Sequence, residues 1–433
     1  MGNNDKQRCV LRLVALAAMQ LAWAGSAWAD DAQRIQELEK QLARSMQLIE
    51  QLNQRVQQLE TQRSAPTAAA PAPAPEAAAA PGHMDHMAPP VAGTGRDTGI
   101  PIHAFSDVGF VSGRTVAPGK KAGFALGNLD LYFSPEIGPR VRSLVELVFE
   151  YGPDGFSTDL ERLEFGYVFS DWATLWMGRW HTPYGYWNDA FHHGAQMQTA
   201  VSRPRFLDFE DRGGILPAHG VGLLLQGGTR VGPGRVQYDA YVGNGDAIQD
   251  HVLDMNAFAD DNGNKMAGGE VRYRFGDALE GLTLGAHGFT QKVASYEGGT
   301  QTGQTKVNMF GGFAVYDSNN WEVLSEYYRF RNEDQFSGTG RHTSWAAYAQ
   351  LGYTFAAAWT PYFRWEKAAL DQGDNYFAAQ TSGRPYQQNV LGLRYDVNPN
   401  TALKFEAGRL EETQADGSSQ SNTVARFQFA VRF

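Results

Sequence analysis

The chain has 433 residues, 37 Lys+Arg against 47 Asp+Glu, and a formal net charge of −10, a balance that excludes the basic face of a nucleic-acid binder. Mean hydropathy is −0.41 and only one apolar run, near the N-terminus, has even approximate spanning length, which excludes a polytopic helical membrane protein. The single cysteine, Cys9, excludes a disulfide framework or a thiolate metal cluster.

The N-terminus reads as an export signal. Lys6, Arg8 and Arg12 form a basic start, residues 13–24 (LVALAAMQLAWA) an apolar core, and Ala27-Trp28-Ala29 places small residues at both cleavage-determining positions. Cleavage after Ala29 removes Cys9, three basic residues and Asp5, so the mature charge is −10 − 2 = −12.

Residues 35–60 carry a heptad. Ile35, Leu42, Ile49 and Val56 occupy a positions, and Leu38, Ser45, Leu52 and Leu59 occupy d positions. A lone helix cannot bury so narrow a seam, so a partner helix is expected. At 1.5 Å per residue the helix would be roughly 39 Å long. Residues 65–82 (APTAAAPAPAPEAAAAPG) then read as an extended, polyproline-like linker without a core. His83, Met84, His86 and Met87 follow, imidazole and thioether groups that suit a soft metal. Chance enrichment in a linker is the preferred reading, and no cofactor is expected.

Aromatic residues are concentrated downstream. Only Trp23 and Trp28 lie in residues 1–100; the other 51 of 53 lie in 101–433, with 42 of the 48 glycines. That profile is all-β. In Thr423–Phe433, Thr423, Ala425, Phe427, Phe429, Val431 and Phe433 alternate strictly with Val424, Arg426, Gln428, Ala430 and Arg432. The same alternation recurs at 159–170, 267–276 and 387–397. Counted through the chain it predicts sixteen strands: 102–111, 123–134, 140–151, 159–170, 172–181, 219–229, 234–243, 267–276, 281–291, 306–316, 321–331, 342–355, 358–368, 387–397, 401–411 and 421–433. Tight turns alternate with longer loops at 112–122, 152–158, 182–218, 244–266, 292–305, 332–341, 369–386 and 412–420, the asymmetry expected of an outer-membrane barrel. A soluble sandwich would carry the same periodicity with its apolar face turned inward.

The closing FQFAVRF, ending on Phe433, resembles the terminal assembly signal of Gram-negative outer-membrane barrels, which implies an assembly role for Phe427, Phe429 and Phe433. The sixteen-strand layout resembles trimeric porins. Signal peptide, coiled coil, linker and barrel, in that order, are similar to porins of the phosphate-selective porin O and P type and their relatives for dicarboxylates and other small anions. The resemblance implies an all-β fold, a 16-stranded antiparallel transmembrane β-barrel, preceded by a short periplasmic coiled-coil helix and a Pro/Ala-rich linker. The expected organisation is signal peptide 1–29, coiled coil 30–63, linker 64–100 and barrel 101–433. The implied setting is the outer membrane of a Gram-negative bacterium, with the coiled coil holding a homotrimer in the periplasm.

The loop 182–218 is the longest, and in the porins this chain resembles the third long loop folds into the lumen. It brings Arg203, Arg205 and Arg212 near Asp208, Glu210 and Asp211. Opposed charges in a narrow wet pore set up a transverse field that orders dipolar solutes. By strand parity, Arg142, Glu146, Arg162, Glu164, Arg364, Arg394, Arg426 and Arg432 face the lumen. Tyr184, Tyr186, Trp187 and Phe191 either offer rings to a solute or wedge the loop against the wall. His181, His192, His193 and His219 bracket the loop and read as polar lumen histidines, since the adjacent His192 and His193 are expected to point apart. The barrel segment has 28 basic and 37 acidic residues; the basic groups near the narrow zone nevertheless point to weak preference for small anions, because charges beyond about 8 Å are screened. The expectation is passive diffusion of small hydrophilic solutes and no enzyme activity. The alternatives are a tether with a largely closed barrel, or an outer-membrane barrel enzyme.

Overall fold

The computed structural model describes residues 102–113, 122–135, 137–152, 155–209, 214–254, 260 and 263–433. These lie in the second of the two units into which the chain divides, 86–433. The signal peptide, the heptad residues Ile35, Leu38, Leu42, Ile49, Leu52, Val56 and Leu59, the linker and the His83–Met87 motif lie outside the described residues, as do Glu210, Asp211 and Arg212 of the long loop.

Sixteen antiparallel strands close into a barrel. They are β1 (Ile102–Gly113), β2 (Gly123–Phe133), β3 (Val141–Gly152), β4 (Gly155–Ser170), β5 (Ala173–His181), β6 (His219–Val231), β7 (Gly234–Asn244), β10 (Lys265–Arg274), β11 (Leu282–Glu297), β12 (Thr300–Ser318), β13 (Trp321–Asp334), β14 (Arg341–Tyr353), β15 (Trp359–Ala369), β16 (Tyr386–Asn398), β17 (Thr401–Thr413) and β18 (Ser419–Arg432). Two short strands, β8 (Ala247–Gln249) and β9 (Val252–Leu253), lie in the loop after β7, and β8 runs parallel to the end of β11. β18 pairs with β1 from Phe105↔Arg432 to Gly113↔Val424, which leaves no free edge.

The two faces decide between barrel and sandwich. Phe124, Leu126, Phe165, Met177, Val271, Leu391, Phe405 and Phe429 are exposed on the outside. Glu146, Glu164, Asp239, Glu270, Glu326, Gln350, Arg364, Glu366, Arg394 and Glu406 are buried inside. An apolar exterior around a polar interior is the inverse of a soluble sandwich and is the arrangement lipid requires. Aromatic pairs sit outside near the tight turns, among them Trp321–Tyr353 at 4.7 Å, Trp359–Tyr395 at 4.3 Å and Tyr273–Phe275 at 4.7 Å. Phe429 and Phe433 are exposed and Phe427 half-buried, while Gln428 and Ala430 between them are buried.

Two of the expected loops are strand. The segment 292–305 is the continuation of β11 and β12, which turn on Gly298 and Gly299 alone. Both glycines have positive φ, 53° and 78°, the geometry of a two-residue hairpin whose twist matches its strands. Likewise 152–158 shrinks to the few residues between Gly152 and Gly155. In 292–305 backbone pairing continues while the alternation lapses: Val293, Ala294 and Ser295 are buried in succession where β8 runs beside β11, and every residue from Glu297 to Thr302 is exposed.

Candidate pore constriction

The segment 182–218 leaves β5 and returns to β6 between two paired residues, His181 and His219. It folds into the barrel instead of outward. It carries α1 (Tyr186–Ala190) and a 3-10 turn (Arg205–Leu207), and Thr182, Asn188, Gln196, Ala200, Phe206 and Ala218 are all buried. In the sixteen-strand ring, β15 and β16 stand opposite β5 and β6. The loop reaches them: Arg205 N–H donates to Glu366 Oε2 at 2.8 Å, and Phe206 N–H to Tyr386 Oη at 2.9 Å. It therefore crosses the lumen.

Three wall glutamates hold the crossing. Glu326 on β13 accepts from Tyr186 N–H (3.0 Å) and Trp187 N–H (2.8 Å), and also from the hydroxyls of Tyr328 (2.6 Å) and Tyr348 (2.7 Å). The carboxylate thus does for α1 what a capping side chain normally does, since Gly185 before the helix has none. Gly185 has φ +70°, and a Cβ there would stand 2.0 Å from Glu326 Oε2. Glu406 on β17 accepts from Val201 N–H (3.1 Å), from Ser202 N–H (3.0 Å) and Oγ–H (2.5 Å), and from Tyr362 (3.0 Å). Glu366 on β15 accepts from Arg205 N–H and from Tyr386 Oη–H at 3.2 Å.

Wall cations hold the loop carbonyls. Arg394 donates to Gln196 O (2.8 Å) and Gln198 O (2.9 Å), and Lys404 to Ala195 O and to Ala200 O (3.2 Å). Arg364, fully buried, donates to Ser202 O at 2.7 Å and Ser202 Oγ at 2.8 Å. Acids take amides and bases take carbonyls, so these buried backbone groups of the crossing are paired with the wall.

The parity-assigned wall residues are buried or half-buried, and most of their charge is balanced locally. Arg364 pairs with Glu366 (2.8 Å), Arg394 with Asp396 (2.7 Å), Arg426 with Glu406 (3.1 Å), and Arg162 with Glu146. Glu164 is buried on the face of Arg162. Arg432 donates to Asn400 Oδ1 at 3.3 Å near the turn end, and Arg142 is half-buried at the start of β3. On the loop, Arg203 lies 3.9 Å over the Phe209 ring and Arg205 pairs with Glu412, its side chain 32% exposed. Asp208 caps the 3-10 turn, its N–H donating to Arg205 O and its carboxylate accepting from Phe209 N–H at 3.0 Å.

The loop aromatics act as wedges. Tyr184, Trp187 and Phe191 are buried; Trp187 meets Tyr348 at 5.7 Å and Tyr184 meets Tyr328 at 6.3 Å, while Tyr186 keeps part of its surface exposed. A second inward segment, 370–385, adds α2 (Asn375–Ala378), whose Tyr376 Oη–H donates to Ile215 O at 2.6 Å. Asp374 caps that helix and accepts from Asn332 at 2.8 Å; burial pushes its carboxyl up against the pull of these hydrogen bonds.

The histidines depart from expectation. His192 and His193 do not point apart: their Nε2 atoms lie 3.7 and 3.5 Å from one oxygen of Glu161. The chain turns directly after α1, bringing consecutive side chains to the same side. Glu161 itself breaks strand parity. The β3–β4 register pairs Glu146 with Arg162 and Leu147 with Leu160, so Glu161 is the extra residue of a bulge and turns inward beside Arg162.

No family model matches the chain, and no curated protein matches it by sequence. Solved structures match it in shape. An anion-selective porin from Comamonas acidovorans is similar with TM-score 0.52 and 14% identity, covering 77% of this chain and 99% of that one. OmpT with loop L8 deleted, an outer membrane protein of Vibrio cholerae, is similar with TM-score 0.51 and 12% identity over 77% and 99%. The trimer form of OmpT gives the same TM-score, identity and coverage. At such identities the likeness is one of fold: this chain has the sixteen-stranded barrel found in outer-membrane proteins.

Proposed function

We propose that this chain is an outer-membrane porin, a water-filled channel for passive diffusion of small hydrophilic solutes. The observation that carries the reading is the loop 182–218, held across the lumen by Glu326, Glu366 and Glu406. A barrel that serves only as an anchor has no need of a strut built into its bore. The turn end then faces the periplasm, the inward loop belongs to the outer side, and the heptad at 35–60 lies in the periplasm, where three seams join a homotrimer. The resemblance to porins of the O and P type belongs to this proposal, as does lipid around the outer face.

Weak anion preference is part of the same reading. The three strut carboxylates have their oxygens engaged with loop amides and tyrosine hydroxyls, which shelters their charge from the path. The Arg205 guanidinium keeps partial exposure. Planar-bilayer recording with reversal potentials in a KCl gradient tests this. Ion-conducting channels with Cl⁻ favoured over K⁺ are expected, and Arg203→Ala with Arg205→Ala should move the reversal potential toward cations. A wild-type channel already favouring K⁺ would overturn the anion preference.

One observation favours a second reading, a tether with a nearly closed barrel. Trp187, Tyr328, Tyr348, Tyr376 and Phe377 form a buried aromatic cluster inside the barrel, every one of them at most 2% exposed. Absence of conductance from correctly assembled trimers would select this reading over the channel.

A further inference from the structure

We propose that Glu161, His181, His192 and His219 form a binding site for a divalent transition ion of the zinc type, which clasps the inward loop at its root. One ligand atom from each lies within 4.8 Å of every other. The four side chains are at most 8% exposed.

The geometry is close to what zinc asks for. Zinc–nitrogen bonds of about 2.0–2.1 Å in a tetrahedron place neighbouring donor atoms about 3.3–3.4 Å apart. His192 Nε2 and His219 Nε2 are 3.0 Å apart, and His192 Nε2 is 3.7 Å from Glu161 Oε2, values that bracket that spacing. His219 Nε2 approaches the same carboxylate oxygen. Three borderline imidazoles and one hard carboxylate make a closed four-donor set, which suits a structural zinc and binds copper or nickel as well.

The crowding argues for an ion over a hydrogen-bond network. Neutral imidazole carries one N–H and one lone pair. A single proton between His192 and His219 serves that contact only, whereas several ring nitrogens converge on one oxygen. The His181 and His192 rings stand 3.4 Å apart between centroids, tighter than the 4.5–7 Å that ring pairs normally adopt. An outer partner is in place for His192: Asn188 Oδ1 lies 3.2 Å from its Nδ1, fixing the ring.

The placement gives the ion its role. His181 and His219 are the register-paired residues from which the loop departs and to which it returns, Glu161 sits on the neighbouring strand β4, and His192 is in the loop itself. One ion joins loop and wall where the strut begins.

The test uses the full-length protein without a polyhistidine tag, stripped with EDTA and then dialysed with Zn²⁺ alone. It does not depend on the channel reading, because metal content is measured whether or not the protein conducts. About one zinc per protomer is expected by mass spectrometry, and Co²⁺ loading should give the intense visible bands of a tetrahedral ion. His192→Ala, which leaves every strand intact, and His219→Ala should each abolish that zinc. Heat-modifiable migration establishes that both variants are folded. His83→Ala with His86→Ala should retain it, which separates this site from the His-Met motif. Zinc unchanged in folded His192→Ala, zinc lost with the His83/His86 variant alone, or no zinc in the wild type would each overturn the proposal.

Discussion

Ala104 and Phe433 exchange both of their backbone hydrogen bonds, N–H to O at 2.8 Å in one direction and 3.0 Å in the other. The last residue of the chain is therefore the last rung of the seam between β18 and β1. Its ring is 69% exposed. Deleting Phe433 removes two hydrogen bonds, each worth a net 0.5–1.5 kcal/mol or so, together with the ring. Phe433→Ala removes only the ring. Both should lower the yield of heat-modifiable barrel, the deletion more so, without changing the ion preference of what assembles. Equal yields from deletion and wild type would refute the seam role.

Glu326 is the acceptor for four donors, two from the loop and two from the wall. Glu326→Ala should leave these buried donors unpaired at about 1–3 kcal/mol each. The expected outcome is a loop cleaved readily by protease within 182–218 and a larger, noisier single-channel conductance, while the strands stay resistant. Loop resistance equal to wild type would show that the strut is held elsewhere.

At Gly185 the demand is steric. Any side chain meets both Glu326 and the Tyr328 hydroxyl at 2.0 Å, and the positive φ adds strain. Gly185→Ala should loosen the same end of the loop as Glu326→Ala, and the double variant should be less than additive because both remove one anchor. Full additivity by thermal melting would separate the two.

The ion pair of Arg205 with Glu412 gives a prediction of opposite sign to the arginine substitutions. Glu412→Gln removes a negative charge beside the guanidinium, so it should strengthen Cl⁻ preference, most clearly at low salt where screening is weak. A shift toward K⁺ would place this pair outside the ion path.

The sixteen strands were legible because an apolar outer face and a polar inner face impose a period of two that survives in residues such as Phe427, Gln428 and Phe429. Legibility failed where that contrast vanishes. Around Gly298 and Gly299 every residue from Glu297 to Thr302 is exposed, no alternation marks the strand ends, and the strands read as loop. It failed again at Glu161, because a bulge shifts parity by one residue and no local signal marks it. The strut glutamates were missed for a different reason. Glu326, Glu366 and Glu406 sit at ordinary lumen-facing positions, and the amides they hold are 140, 161 and 204 residues away in sequence. Parity assigns a face; it does not say whether a charge meets water or a folded-in backbone. The lumen arginines illustrate the difference, since Arg364 and Arg394 face inward as expected yet hold the loop's carbonyls.

The doorway through which the long loop enters the barrel is one residue pair wide. Since His181 and His219 are directly opposed in the sheet, everything between them is topologically a detour that begins and ends at the same rung. A segment of another length or charge can be exchanged there without moving any strand out of register, provided it finds acceptors and donors on the far wall. The bore of this barrel thus holds a replaceable fitting in a fixed housing, and variation in the segment that fills it need not be accompanied by variation in the housing.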